Sequence, residues 1–138
     1  MSPSHDRPLL EVRGLRIAFG GAEVVHGIDF QVAAGEKLAL VGESGSGKTI
    51  SAMSLLRLVP DAAYGGHAWL QPRDGGAPRD LLALPERALR AIRGDEVAMI
   101  FQEPMTALNP LFTVGAQIAE VLQIKHPQPA RDAWAARA

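Results

Sequence analysis

A chain of 138 residues with net charge −1, 47% apolar and 21% charged residues has globular proportions and can bury roughly two thirds of its unfolded surface. It has no cysteine, which excludes disulfides and thiolate zinc sites, and His5, His26, His67 and His126 are too scattered to form a ligand motif. The scattered lysines and arginines argue against nucleic acid as a partner, no run approaches ~18 apolar residues, and MSPSHDRPLLE lacks the apolar segment of a signal peptide.

Residues 9–19, LLEVRGLRIAF, predict one or two strands, GGA at 20–22 a turn, and 24–33, VVHGIDFQVA, a further strand bent or bulged at Gly27. After the turn AAGE, KLALV (37–41) is short and almost wholly apolar, the pattern of a strand buried on both faces of a parallel sheet. A helix is predicted from about Gly47 to Val59, with Ile50, Met53, Leu56 and Val59 on one stripe and Pro60 as its stop. Residues 61–80 read as a loop around a short strand candidate, HAWL. PERALRAIRG (85–94) predicts a helix with Pro85 and Glu86 in its first turn, Arg93 at its negative end and Gly94 just past it. EVAMIF (96–101) is a second buried-strand candidate and QEPMTALNP (102–110) a loop. Thr113 can cap a helix running to about Ile124, with Val114, Ile118, Val121 and Leu122 on one face, and Pro129 opens another.

GESGSGKT (42–49) satisfies the spacing G-x-x-x-x-G-K-[ST] between an expected strand and an expected helix, which is the context a phosphate-binding loop requires. Gly42, Gly45 and Gly47 can adopt backbone angles that other residues avoid. Successive N–H groups of Glu43, Ser44, Gly45, Ser46 and Gly47, and of Lys48, Thr49 and Ile50 behind them, can then point at phosphate oxygens. Lys48 should reach the β- and γ-phosphates and Thr49 should give its hydroxyl to Mg²⁺. A loop of this kind does not by itself choose among kinases, GTPases and motor ATPases.

VGESGSGKTISAMSLLRLVP (41–60) and IRGDEVAMIFQEPMTALNPLFTVGAQIAEVL (92–122) resemble the ATP-binding subunits of ABC transporters, and within them the dipeptide, oligopeptide and microcin-C-type peptide importers. LLEVRGLRIAFGGAEVVHGIDFQVAAGE (9–36) is similar to that family's N-terminal antiparallel strands. The resemblance implies an α/β fold: a P-loop NTPase core with an N-terminal antiparallel β subdomain (about 1–101) and the start of a helical subdomain (about 102–138). It implies that Phe19 stacks on adenine. It also implies that Gln102, the Q-loop glutamine, meets Mg²⁺ or the attacking water. Gln102 stands where a magnesium-binding aspartate would be needed, so AMIFQE is not the family's Walker B strand. Glu103 reads instead as a surface carboxylate of the loop.

The cofactors implied are ATP and Mg²⁺. The partners implied are transmembrane permease subunits, a second ABC nucleotide-binding domain and, indirectly, an extracytoplasmic solute-binding protein, with the chain peripheral on the cytoplasmic face of the inner membrane. No signature loop, Asp-Glu strand or switch histidine occurs in the 138 residues. The expectation is thus an N-terminal portion of a nucleotide-binding domain, with no catalytic residue assigned and no hydrolysis by this chain alone. Three alternatives stand beside it: a non-transport ABC ATPase, a small-molecule P-loop kinase, and a truncated remnant without catalysis.

Overall fold

The computed structural model describes residues 7–127, which divide into two compact units, one up to Arg93 and one from Gly94 on. The expected helix after Pro129 lies outside the described residues.

The first unit is built on β1 (Leu10–Phe19) and β2 (Ala22–Val32), an antiparallel hairpin closed by Gly20 and Gly21. Both glycines have positive φ, as the tightest hairpin turns require. The bulge expected at Gly27 is present: Leu15 pairs with Ile28 and Arg16 with His26, leaving Gly27 unpaired at φ 82°. A second phase slip lies at Gly14, whose N–H donates to the Asp29 carboxylate at 2.5 Å. Val12, Leu15 and Ile17 all reach the core because that slip breaks strict alternation between the first two.

The opposite edge of β1 is occupied by β3 (Ala62–Leu70), followed by the two-residue β4 (Arg79–Asp80), giving the sheet order β2-β1-β3-β4. Within the expected 61–80 loop, the HAWL strand candidate is thus extended back to Ala62 as a nine-residue strand. Its first half, AAYGG, carries no hydrophobic alternation, and what makes it a strand is the free ladder edge of β1. At Gly66 a Cβ would stand 2.3 Å from the Gly14 carbonyl oxygen, so two backbones meet where a side chain has no room. Asp80 fastens the edge. Its carboxylate accepts from the N–H groups of Ala68 and Leu82, both at 3.1 Å, and from His67 Nδ1 at 2.7 Å. His67 in turn stacks on Trp69 with ring centroids 4.7 Å apart. Burial pushes the Asp80 carboxyl up, but the bonds from His67, Ala68 and Leu82 together outweigh it and hold the group below the usual carboxylate range.

Helix α1 (Lys48–Ser54) is shorter than the 47–59 expected. It ends in a tight turn in which Leu58 N–H donates to Met53 O at 3.0 Å and Arg57 N–H to Ser54 O at 2.9 Å. Arg57 occupies the left-handed position, φ 48°, that glycine usually fills, at a strain of roughly 1–2 kcal/mol. The face turned inward is also not the expected apolar stripe alone, since Ser51 and Ser54 are buried beside Leu56. Ser54 satisfies its hydroxyl by donating to Ile50 O at 2.6 Å. Helix α2 (Glu86–Ile92) starts at Pro85 as expected and buries Leu89 and Ile92.

Two expected strands are absent. Residues 37–41 and 98–101 make no ladder among the described residues, and Val41 and Ile100 are 92% and 94% exposed. A strand buried on both faces exists only when neighbours receive its N–H and C=O groups, and neither segment has such a neighbour here. In the second unit, a single 3₁₀ turn (Pro104–Ala107) breaks the expected loop. Thr113 caps α3 (Val114–Lys125), its Oγ accepting from Ala116 N–H at 3.2 Å. The face expected to be apolar and covered is exposed at Val114, Ile118 and Val121.

Candidate functional site

The eight residues 42–49 leave an irregular segment, turn at Ser44 and Gly45, and enter α1. The loop needs its glycines for different reasons. Gly45 and Gly47 hold φ at 80° and 85°, and Gly47 is the left-handed N-cap of α1. At Gly42 a Cβ would lie 2.6 Å from Ser46 Oγ, so a side chain there would displace the Ser46 hydroxyl that Lys48 reaches. A Cβ on Gly47 would lie 3.1 Å from Val25 Cγ2, so the loop rests directly against β2.

Ser46 N–H donates to Glu43 O at 3.2 Å, and Ser51 N–H to Gly47 O at 2.8 Å. Lys48 folds back over the loop. Its ammonium donates to Gly42 O at 2.5 Å, to Glu43 O at 2.6 Å and to Ser46 Oγ at 3.2 Å. A charged donor is thus held within the concave turn, and the first amides of α1 have no acceptor inside the helix. Thr49 is exposed at the second position of α1, and Ile50 behind it is half-buried.

A cavity of about 430 Å³ lies beside the loop. Lys48, Ser46, Ser51, His26 and Asp29 line it with polar groups, and Val41, Val25 and Phe30 are among its apolar residues. A larger cavity of about 550 Å³ is lined by Arg7, Glu11, Trp69 and Gln71, among others, and includes no residue of 42–49. Size therefore does not mark the chemistry in this protein, and the convergence of ammonium and loop backbone does.

Seven expected site residues, Gly42, Glu43, Ser44, Gly45, Ser46, Gly47 and Lys48, form the one local turn, with Thr49 and Ile50 following in α1. Phe19 sits half-buried at the end of β1, paired with Ala22 and Ala62, and is not among the residues lining the cavity beside the loop. Gln102 belongs to the second unit, where it is an exposed bend. Its loop is pinned further on by Gln117, whose amide accepts from Asn109 N–H at 2.8 Å and donates to Asn109 O and Phe112 O, both at 3.0 Å.

One contact escaped the reading of the sequence. Arg93, expected at the negative end of its own helix, instead donates to Leu56 O just past α1, from Nε at 2.9 Å and Nη2 at 2.7 Å. Its third nitrogen reaches Glu86 at 2.5 Å, and this bond holds the Glu86 carboxyl below the usual range. No periodicity or motif links residue 93 to residue 56, so no sequence signal could have found it.

The sequence is similar to known proteins. A family model described as "ABC transporter" matches residues 25–138. The chain is 49% identical over 128 residues to the peptidoglycan transport ATP-binding protein YejF of Agrobacterium fabrum, covering 90% of this chain and 23% of that one. It is 47% identical over 123 residues to the probable peptide ABC transporter ATP-binding protein y4tR of Sinorhizobium fredii (84% and 35%). It is 42% identical over 137 residues to the glutathione import ATP-binding protein GsiA of Pectobacterium atrosepticum (94% and 22%). The chain thus spans between about a fifth and two fifths of the length of these relatives.

Proposed function

The chain belongs to the ABC transporter family, and from that premise we propose that it binds Mg·ATP as part of the energy-coupling subunit of an importer for peptides or similar solutes. The observation that carries this reading is the Lys48 ammonium held over Gly42, Glu43 and Ser46 in one tight turn. These residues fit a polyphosphate. Gly42, Glu43, Ser44, Gly45, Ser46 and Gly47 wrap the phosphates with backbone amides, Lys48 exchanges its bonds to the loop for phosphate oxygens, and Ile50 N–H follows at the helix start.

Bound nucleotide would supply a transferable γ-phosphoryl group, with Mg²⁺ neutralising its charge. Among the described residues no group of three or more His, Asp or Glu could hold a metal alone. In this reading Thr49 and Gln102 hold Mg²⁺ together with the nucleotide's own oxygens, and Phe19 stacks on the adenine. All of these are binding roles; none of them orients the attacking water on its own. No helix among the described residues is long and apolar enough to cross a membrane, so force on a permease would pass through contact. The proposed partners are transmembrane permease subunits, a second nucleotide-binding domain and, indirectly, an extracytoplasmic solute-binding protein. The proposed place is the cytoplasmic face of the inner membrane. The importer names of the relatives support peptides as the solute class.

The test is titration with labelled Mg·ATP. Lys48→Ala removes charge-assisted hydrogen bonds, and affinity should fall ~10- to ~100-fold. Equal affinity in the variant would show that Lys48 does not reach the phosphates.

A further inference from the structure

We propose that Arg93 is a positioning residue for the phosphate loop: it grips the far end of the loop's helix and so fixes where Lys48 and Thr49 stand. The proposal rests on the reading of residues 42–49 as the ATP site.

Helix α1 has seven residues, too few to be stable without tertiary contacts. Its pose is set by the buried Ser51 and Ser54 on its inward face and by contacts at its two ends. At the first end Gly47 lies against Val25, where a Cβ on Gly47 would stand a tight 3.1 Å from Val25 Cγ2. At the second end the Leu56 carbonyl receives two hydrogen bonds from the Arg93 guanidinium, at 2.9 and 2.7 Å. A carbonyl at the C-terminal end of a helix carries partial negative charge, and a planar cation is the donor that suits it.

The grip closes on itself. Arg93 Nη1 donates to one oxygen of Glu86 and Arg57 Nη2 donates to the other, at 2.5 and 3.1 Å. Arg57 is adjacent to Leu56, so the path from the end of α1 through Arg93, Glu86 and Arg57 returns to its start. The side chains of Arg93 and Arg57 are 23% and 21% exposed, against 54% for Arg13 and 58% for Arg16. Arg57 also holds a backbone conformation that glycine adopts without strain. A strained arginine whose side chain completes an ion cluster has a reason to be there that a plain turn residue lacks.

Leu56 lies two residues past Ser54, the last residue of α1, and Ser54 is roughly 9 Å along the helical rise from Lys48. Release of Leu56 O frees the helix to tilt about Gly47, and Lys48 and Thr49 move with it. Arg93 thus acts on the nucleotide only through the helix it holds.

The experiment compares the 138-residue chain with Arg93→Met and Arg93→Lys by calorimetric titration with Mg·ATP. Arg93→Met should weaken binding ~2- to ~10-fold, the effect of about one net hydrogen bond. Arg93→Lys, which can still donate to Leu56 O, should recover part of that loss, and it serves alone if the methionine variant does not fold. In a Lys48→Ala background Arg93→Met should add little, because the group being positioned is gone. Wild-type affinity in Arg93→Met overturns the proposal. So does an equal further loss in the Lys48→Ala background, which would mark a general loss of packing. Amide exchange of Ile50–Ser54 without nucleotide is the second readout. Faster exchange in Arg93→Met is expected, and unchanged exchange overturns the grip. A wild-type chain that fails to bind ATP, with exchange still faster in the variant, would sink the ATP reading and leave the grip standing.

Discussion

EVAMIF in the second unit is as apolar as the strand LEVRGLRIAF in the first, yet Ile100 is 94% exposed and Ile17 fully buried. The same contrast holds unit by unit. All the fully covered apolar side chains among the described residues, from Val12 to Ile92, belong to the first unit. In the second, Val114, Ile118, Val121 and Ile124 of α3 stay open to solvent. Apolar sequence supplies the driving force for burial, but a core forms only where another surface arrives to cover it. The antiparallel hairpin finds its cover within a few residues. A strand of the parallel kind must take its neighbours from distant sequence.

Matched truncations sharpen this comparison. Ile17→Ala should cost about 2–5 kcal/mol in urea unfolding, since it opens a cavity between well-packed neighbours. A loss below ~1 kcal/mol would mean that the first unit's interior is loose and the contrast false.

Asp80→Asn comes next, at about 1–2 kcal/mol near pH 7, because an amide cannot accept as strongly from His67, Ala68 and Leu82. The sign of its pH dependence follows from the lowered carboxyl. A group whose folded pKa is depressed stabilises the fold above its unfolded pKa of ~4 and loses that contribution as pH falls through the folded value. Wild type and Asp80→Asn should therefore differ in unfolding at pH 7 and converge as pH falls through the lowered pKa of the folded carboxyl. Parallel acid profiles would remove Asp80 as the edge fastener.

Ile118→Ala is the smallest, within about 0.5 kcal/mol, because the side chain it shortens is already 40% exposed. A loss comparable to that of Ile17→Ala would show that α3 is covered in solution and erase the distinction between the units.

Much of the first unit was legible in the sequence because its signals are local. Gly20–Gly21 marks the turn, Gly27 the bulge and Pro85 the start of α2, and in the second unit Thr113 marks the cap of α3 in the same way. The tight turn of residues 42–49 was legible for the same reason: its eight residues are contiguous and their spacing constrains the backbone. What stayed hidden depends on partners far along the chain. AAYGG became strand because β1 offered an edge, and KLALV did not because no ladder reached it. Helix α1 stopped early because a left-handed turn at Arg57, fastened by Glu86, ended it before Pro60 could.

The three phase slips on the hairpin have a consequence for how this chain can vary. β1 is paired on both sides, and each bulge resets the inward–outward alternation that its neighbours must follow. A residue inserted or removed within Leu10–Phe19 would have to be absorbed twice, once against each flanking strand. Between β3 and β4 the chain runs through exposed Arg73, Asp74, Gly75, Gly76 and Ala77, where an added or missing residue disturbs no ladder. Sequence length, rather than sequence identity, is what the middle strand forbids to change, and the loop after β3 is where such changes can collect.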